Sequence, residues 1–241
     1  MFPLKDDVPG RTTPFITVGL IAINVVVFLY QISLGLEGST PGVAVRELIL
    51  EFGLTPCRLT GYCADALPGL PSPWVTMLTS MFLHGGLFHV GGNMLYLWIF
   101  GDNVEDTLGH GRFLIFYLLS GVAAALVQTM VSPASAIPML GASGAVSGVL
   151  GAYLLLFPHA RVLTLLIFGF FFRMVHIPAV VVLGFWIVVQ FVNGFLTVTV
   201  TAVRGESAGG GVAWFAHIGG FVAGMGLLFV FRPRRDPREL Y

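Results

Sequence analysis

Long apolar segments without charged residues are the feature that most limits how this chain can fold. A helix needs about 20 mainly apolar residues to cross the hydrocarbon core of a bilayer. Six segments approach that length and contain no Asp, Glu, Lys or Arg: residues 15–34, 79–100, 113–130, 143–158, 178–196 and 212–231. We therefore expect an all-α polytopic membrane protein, built as a bundle of six transmembrane helices.

The overall composition agrees with lipid as the solvent of this chain. Of its 241 residues, 56% are hydrophobic and 10% are charged, whereas a soluble domain carries about 25% charged residues. The formal net charge is zero, so there is no basic field to attract nucleic acid. No internal repeat is visible. We expect a single membrane domain over residues 1–241, with a helical core over about 15–231 and short tails.

The distribution of Arg and Lys predicts the orientation of the helices. Six spans place both termini on one side, and the positive-inside rule decides which side. With the N-terminus in the cytoplasm, nine Arg and Lys residues lie inside and three lie outside, namely Arg46, Arg58 and Arg204. Both termini are therefore predicted to be cytoplasmic. The apolar stretch 162–172 is too short to span, and we expect an interfacial or partly buried connection there.

Polar side chains inside the spans are costly in lipid and therefore indicate function. The spans contain His84, His89, Asn93, Ser143, Ser147 and His217. None of these is Asp, Glu, Lys or Arg, which disfavours a proton pump or an ion-coupled transporter. The second, fourth and sixth spans all enter from the outside. These side chains are therefore expected at a similar, shallow depth below the outer surface.

Glycine spacing predicts how the fourth and sixth spans meet. Each span carries two glycines four residues apart: Gly144 and Gly148, and Gly220 and Gly224. Such small-residue faces let helix backbones approach closely. His217 shares the glycine face of the sixth span, since offsets of three and seven stay on one side of a helix. Packing of the two faces is expected to place His217 beside Ser143, as a base beside a nucleophile.

The second span supplies candidate hydrogen-bond donors to the same site. His89 and Asn93 are four residues apart, so their side chains point the same way. Together with the Ser143 N–H, free at a helix N-terminus, they could bind a developing oxyanion. No carboxylate falls in this layer, and we expect a catalytic dyad in place of a triad.

Three sequence stretches together resemble the rhomboid intramembrane serine proteases. They are residues 84–94 (HGGLFHVGGNM), 141–144 (GASG) and 216–220 (AHIGG), the last followed by Gly224. The resemblance implies a bacterial-type, six-span rhomboid-like fold in the plasma (bacterial inner) membrane. It also implies an endopeptidase that cuts transmembrane segments of other membrane proteins. Ser143 would be the nucleophile and His217 the base.

The resemblance assigns further roles around this pair. His89 and Asn93 would stabilise the oxyanion. His84 would be structural, and the glycines near the site would serve packing: Gly141, Gly144, Gly220 and Gly224. Two positions depart from the family pattern. Trp74 is followed by Val75 where members often carry Arg, and Ser147 stands where some members place an aromatic residue that stacks on the base.

Several alternatives remain open at the level of sequence. An inactive rhomboid-like binder or chaperone of membrane proteins would share the fold, although such a relative would be expected to lose Ser143 or His217. Cys57 and Cys63 are either a disulfide or two free thiols. The fifth helix and the Gly-rich residues 205–211 are a candidate gate and lid.

The expected partners are transmembrane protein substrates and the lipid bilayer, without nucleic acid; the oligomeric state is open. His84 and His89 are five residues apart, so they lie off one helical face, and no Cys or carboxylate completes a metal site with them. We therefore expect neither a metal nor another cofactor.

Overall fold

The computed structural model describes residues 1–36, 42–63, 69–169, 171–204 and 212–232. Within these ranges the chain forms helices α1 (Phe15–Leu36), α2 (Val43–Phe52), α3 (Pro56–Thr60), α4 (Pro73–Thr79), α5 (Leu87–Leu108), α6 (His110–Val131), α7 (Ser143–Leu156), α8 (Ala179–Arg204) and α9 (Trp214–Phe231). Three strands accompany them: β1 (Phe2–Lys5), β2 (Arg161–Phe168) and β3 (Phe171–Pro178).

The helices form a polytopic membrane bundle, as the apolar segments predict. Four of the described helices are long and apolar enough to cross a bilayer, namely α1, α6, α8 and α9. Helix α7 is apolar but has 14 residues. Helix α5 has 22 residues and replaces the expected second span, but its C-terminal part is polar. The helical membrane fold is thereby confirmed, while the count of six transmembrane helices stays a prediction.

The second expected helix begins later in the structure than in the sequence interpretation. Residues 80–82 form a 3₁₀ turn after α4, and α5 begins only at Leu87. Adjacent glycines at 85 and 86 interrupt the pattern, and glycine is unfavourable inside a helix because it loses the most backbone freedom on folding. The placement of His84 within this helix was wrong: His84 lies in the loop that precedes it.

A small antiparallel sheet is added to the helical bundle that the sequence predicts. Strands β2 and β3 form a hairpin in which Arg161 pairs with Pro178, and β1 pairs with the other edge of β2. The stretch 162–172, expected as an interfacial or partly buried connection of unspecified structure, is mainly β-strand. Short apolar runs rich in aromatic and β-branched residues cannot be assigned by periodicity alone.

Helix α7 lies at the centre of the bundle. All residues from Gly144 to Tyr153 are buried, and α7 packs against α5, α6 and α9. The α7–α9 contact is a direct backbone approach. A Cβ atom on Gly220 would overlap the carbonyl oxygen of Gly144, and one on Gly224 would overlap Gly148. The two glycine faces therefore set the distance between these helices.

The N-terminus of α1 is tied to α5 by a buried carboxylate. Glu105 is fully buried, and its oxygens accept hydrogen bonds from the Ile16 amide (3.0 Å), the Thr17 amide (2.8 Å) and the Thr17 hydroxyl (2.7 Å). His110 Nδ1 lies 2.6 Å from the same carboxylate. Negative charge at a helix N-terminus is favourable because the first amides lack intrahelical acceptors. Glu105 thus fixes where α1 meets the bundle.

Candidate active site

Ser143 and His217 lie in hydrogen-bond contact at the N-terminal ends of two packed helices. Ser143 is the first residue of α7, and His217 lies in the first turn of α9. The distance from Ser143 Oγ to His217 Nε2 is 2.8 Å. His217 is 9% exposed, whereas Ser143 is only partly buried. A hydroxyl at this distance from an imidazole nitrogen can pass its proton to it.

The other nitrogen of His217 contacts a residue that sequence reasoning missed. His217 Nδ1 lies 2.8 Å from Gln190 Oε1 on α8. The Trp186 ring, one turn earlier on α8, packs 5.9 Å from the imidazole centroid, and the Trp214 ring meets it edge-on at 6.2 Å. The imidazole is therefore held from α8 as well as from its own helix. The only sequence signal was an uncharged polar residue in an apolar span.

A second missed glutamine supports the start of α9. Gln128 of α6 accepts hydrogen bonds through Oε1 from the amides of Phe215 (3.1 Å) and Ala216 (3.2 Å). These amides belong to the first turn of α9, where backbone acceptors are scarce; the Ala216 amide also points at the Ala213 carbonyl at 3.0 Å. Gln128 therefore caps the turn that carries His217.

His89 approaches Ser143 across a glycine. The Gly85 amide donates to His89 Nδ1 at 3.3 Å, which makes Nδ1 an acceptor and leaves the proton of the neutral ring on Nε2. A Cβ atom on Gly141 would lie 2.7 Å from His89 Nε2 and 3.7 Å from Ser143 Oγ. Gly141 has a backbone φ of +122°, which residues other than glycine rarely adopt. The missing side chain leaves a space between a donor and the hydroxyl.

Asn93 and His84 form a structural link under the site. Asn93 Nδ2 lies 3.1 Å from His84 Nε2, and the Ala142 amide points at the same nitrogen at 3.5 Å. Two donors converge on one ring nitrogen, so Nε2 of His84 is the acceptor. His84 thereby connects α5 to the residue before Ser143. The amide nitrogen of Asn93 carries a second hydrogen, which this bond does not use.

The loop before Ser143 is anchored by backbone hydrogen bonds. Leu54 and Met139 bond to each other in both directions, at 3.1 and 2.7 Å. The Gly141 amide donates to the Ser80 carbonyl at 2.9 Å. These contacts attach the loop to the segments that precede α3 and α5. The position of the Ser143 backbone is therefore set from several parts of the fold.

Ser147 contacts its own helix. Its hydroxyl donates to the Ser143 carbonyl at 2.6 Å, and the side chain is almost fully buried. Ser147 thus supplies no surface that stacks on His217, in keeping with the sequence departure at this position.

The remaining predicted features lie away from this cluster or outside the described residues. Cys57 and Cys63 are joined as a disulfide, with their Cα atoms 5.0 Å apart. The described residues contain no group of three or more His, Cys, Asp or Glu side chains placed to hold a metal ion. The candidate lid, residues 205–211, lies outside the described residues.

Comparison with known proteins agrees with the motifs. A family model described as Rhomboid domain matches residues 71–234. "Rhomboid protein 1, mitochondrial" of Saccharomyces cerevisiae is 39% identical over 93 residues, which are 37% of this chain and 27% of the relative. "Rhomboid protease GluP" of Bacillus subtilis is 43% identical over 81 residues, 34% of this chain and 15% of the relative.

A longer alignment extends the similarity. "RHOMBOID-like protein 1" of Arabidopsis thaliana is 31% identical over 160 residues, which are 66% of this chain and 35% of the relative. The aligned regions thus span between 15% and 35% of the length of these three relatives. The family model, in contrast, covers more than half of this chain. The predicted resemblance is confirmed, and the chain belongs to the rhomboid family.

Proposed function

We propose that this chain is an intramembrane serine endopeptidase that cleaves transmembrane segments of other membrane proteins. The observation that carries the proposal is the 2.8 Å contact between Ser143 Oγ and His217 Nε2. It occurs at a helix N-terminus, beside a histidine N–H and a glycine-lined space. Geometry of this kind is what nucleophilic catalysis by a serine requires.

The acylation step follows from the proton positions. Ser143 Oγ attacks the scissile carbonyl carbon while His217 Nε2 takes the hydroxyl proton. The carbonyl π electrons move to oxygen and give a tetrahedral oxyanion. The oxyanion then collapses, the C–N bond breaks, and His217 gives its proton to the leaving amine. The acyl group remains as an ester on Ser143.

The deacylation step repeats the same roles with water. His217 takes a proton from water, which attacks the ester carbonyl. The second tetrahedral intermediate releases Ser143, which regains its proton from His217. The proposed enzyme thus needs two groups that change protonation state, and it uses no cofactor.

The oxyanion would be stabilised by three donors. His89 Nε2–H borders the space left by Gly141, and the Ser143 amide, at the start of α7, has no hydrogen-bond acceptor among the described residues. The second N–H of Asn93 is the third. Donors fixed by the fold stabilise developing charge at little reorganisation cost, and loss of one typically lowers kcat by about 100- to 1,000-fold.

The membrane setting defines the substrate class. A helix in lipid hides its carbonyl groups in hydrogen bonds, so a transmembrane substrate must unwind locally before attack. Partial exposure of Ser143 supports access from outside the protein. We further propose a single membrane domain in a bacterial inner membrane, with both termini cytoplasmic, because nine of the twelve Arg and Lys residues then lie inside.

Cleavage after reconstitution tests the proposed function. The full chain is placed in liposomes with a substrate whose transmembrane segment contains helix-breaking residues. Native protein is compared with Ser143→Ala, His217→Ala and, as a control, His159→Ala, since His159 is exposed and remote. We expect cleavage by the native chain and by His159→Ala only. Activity that survives Ser143→Ala would contradict the mechanism. Binding without cleavage by all four proteins would favour the binder or chaperone.

A further inference from the structure

His217 and Gln190 form the inner part of a hydrogen-bond chain that runs from α8 to Ser143. The distance from His217 Nδ1 to Gln190 Oε1 is 2.8 Å, equal to that from His217 Nε2 to Ser143 Oγ. We propose that Gln190 is a positioning residue, which fixes the tautomer and the ring orientation of His217. This inference rests on the proposed serine–histidine function and adds a third residue to it.

The direction of each bond follows from one fixed acceptor. The Trp186 carbonyl oxygen can only accept, and Gln190 Nε2 lies 3.0 Å from it. The amide nitrogen of Gln190 therefore points to Trp186, and its oxygen points to His217. An amide oxygen can only accept, so His217 Nδ1 must carry the proton. Nε2 then has a free lone pair, directed at the Ser143 hydroxyl.

The burial of Gln190 argues for a specific role. Its side chain is 5% exposed, whereas the neighbours Val188, Phe191 and Val192 on α8 are exposed. Helix α8 thus presents these apolar residues outward and the Gln190 amide inward, towards His217. A buried polar group without a partner costs free energy. Gln190 satisfies this requirement by contact with the imidazole.

The same face of α8 also limits rotation of the ring. Trp186 precedes Gln190 by one helical turn, and its ring packs against His217 at 37° between the planes. Helix α7 offers no such surface, because Ser147 is bonded to the Ser143 carbonyl. Helix α8 therefore contributes one hydrogen bond and one aromatic contact to the orientation of the imidazole, in addition to the edge-on contact of Trp214 from α9.

Substitution of Gln190 by an apolar residue of similar length tests the role kinetically. Gln190→Met keeps most of the volume but has no amide oxygen. We expect kcat to fall by about 10- to 100-fold with little change in KM, because the base is then often in the wrong tautomer. The control is Asn193→Leu on the same helix, whose side-chain amide donates to the Val189 carbonyl of α8 itself at 2.8 Å. This control should retain native kcat.

A carboxylate at the same place provides the conservative variant. Gln190→Glu retains an acceptor oxygen and favours the protonated imidazole by its charge. We expect kcat within a few-fold of native at alkaline pH, with the acidic limb of the rate profile moved to higher pH. A purely structural role would give Glu and Met variants the same loss and leave the pH profile unmoved. That result would overturn the proposal.

Nitrogen NMR of the histidines measures the tautomer without any substrate. The His217 signals are assigned by comparison with His217→Gln, using ¹⁵N-labelled protein. We expect the Nδ1–H form in the native chain and in Asn193→Leu, and its loss in Gln190→Met. An unchanged tautomer in Gln190→Met overturns the role of Gln190 even if the native chain cleaves. Absence of cleavage by the native chain would contradict the proposed function. The tautomer of His217 would still show, in that case, whether Gln190 holds the Nδ1–H form.

Discussion

Gly220 of α9 packs directly on the backbone carbonyl of Gly144 in α7. Gly144 is the residue after Ser143, and Gly220 lies three residues after His217. A methyl group at Gly220 would overlap that oxygen, so the two helices can approach this closely only because residue 220 has no side chain. The same contact that stabilises the bundle therefore sets the separation between hydroxyl and imidazole. Stability and activity should depend on the same glycines.

Gly220→Ala is expected to lower both the stability of the fold and the rate of cleavage. Overpacking of a well-packed contact costs about 1–3 kcal/mol, and separation of the helices would lengthen the Ser143–His217 hydrogen bond. The matched control is Gly226→Ala on the same helix, where an added Cβ meets no atom within 4 Å. Thermal unfolding in detergent and cleavage rate are measured for both. Equal behaviour of the two variants would refute the role of the glycine face.

Gly141→Ala should abolish most activity with a smaller effect on folding. The added methyl would lie 2.7 Å from His89 Nε2, in the space assigned to the oxyanion. We expect a fall in kcat of about 100-fold or more, comparable to the loss of an oxyanion donor. Gly169→Ala controls for positive φ alone, since Gly169 has φ +59° and open space around it. Native-like kcat in Gly141→Ala would show that the oxyanion lies elsewhere.

Glu105→Ala is expected to loosen α1. The substitution removes the acceptor of the Ile16 and Thr17 amides and of the Thr17 hydroxyl. Unpaired buried donors cost about 1–3 kcal/mol each, so the melting temperature should fall, and Glu105→Gln should be intermediate. Thr107→Ala serves as the control, because the Thr107 hydroxyl bonds within α5 to the Asn103 carbonyl. The prediction fails if Glu105→Ala has the same melting temperature as the native chain.

The N-terminal segment should become more stable as pH falls. Burial raises the pKa of Asp6 above its usual range, although the hydrogen bond from Tyr153 partly opposes this. The folded state then binds a proton more readily than the unfolded state, so stability rises as pH falls through the folded pKa towards the unfolded value. Asp6→Asn cannot titrate and lacks this contribution.

Unfolding of the native chain and of Asp6→Asn is therefore compared between about pH 7 and pH 4. The native chain should gain melting temperature relative to the variant as the pH is lowered. Parallel curves, or a relative loss by the native chain, would contradict the burial of the Asp6 carboxylate.

The approach of α7 and α9 could be anticipated because it depends on a local pattern. Small residues four positions apart define a helix face, and His217 falls on that face by spacing alone. The order of the apolar segments then places Ser143 and His217 at the same membrane depth. Their assigned chemical roles stay predictions until cleavage is measured.

Features that depend on contacts distant in sequence could not be anticipated in this way. Gln190 reaches His217 only because α8 packs beside α9, and nothing in the sequence around Gln190 specifies that neighbour. The second span was expected to end at residue 100, whereas α5 continues as helix to Leu108, and Glu105 in this extension is buried against α1. The hairpin after α7 was hidden for another reason: a short apolar run fits strand and buried helix equally.

Covalent labelling of Ser143 shows whether His217 activates its hydroxyl, and it needs no natural substrate. The full chain in detergent is treated with a fluorophosphonate, which reacts with serines activated by a base, and the labelled residue is located by mass spectrometry. We expect a single adduct on Ser143 in the native chain and in His159→Ala, and none in His217→Ala. Labelling of Ser143 that persists without His217, or an adduct on another serine, would contradict activation of Ser143 by His217.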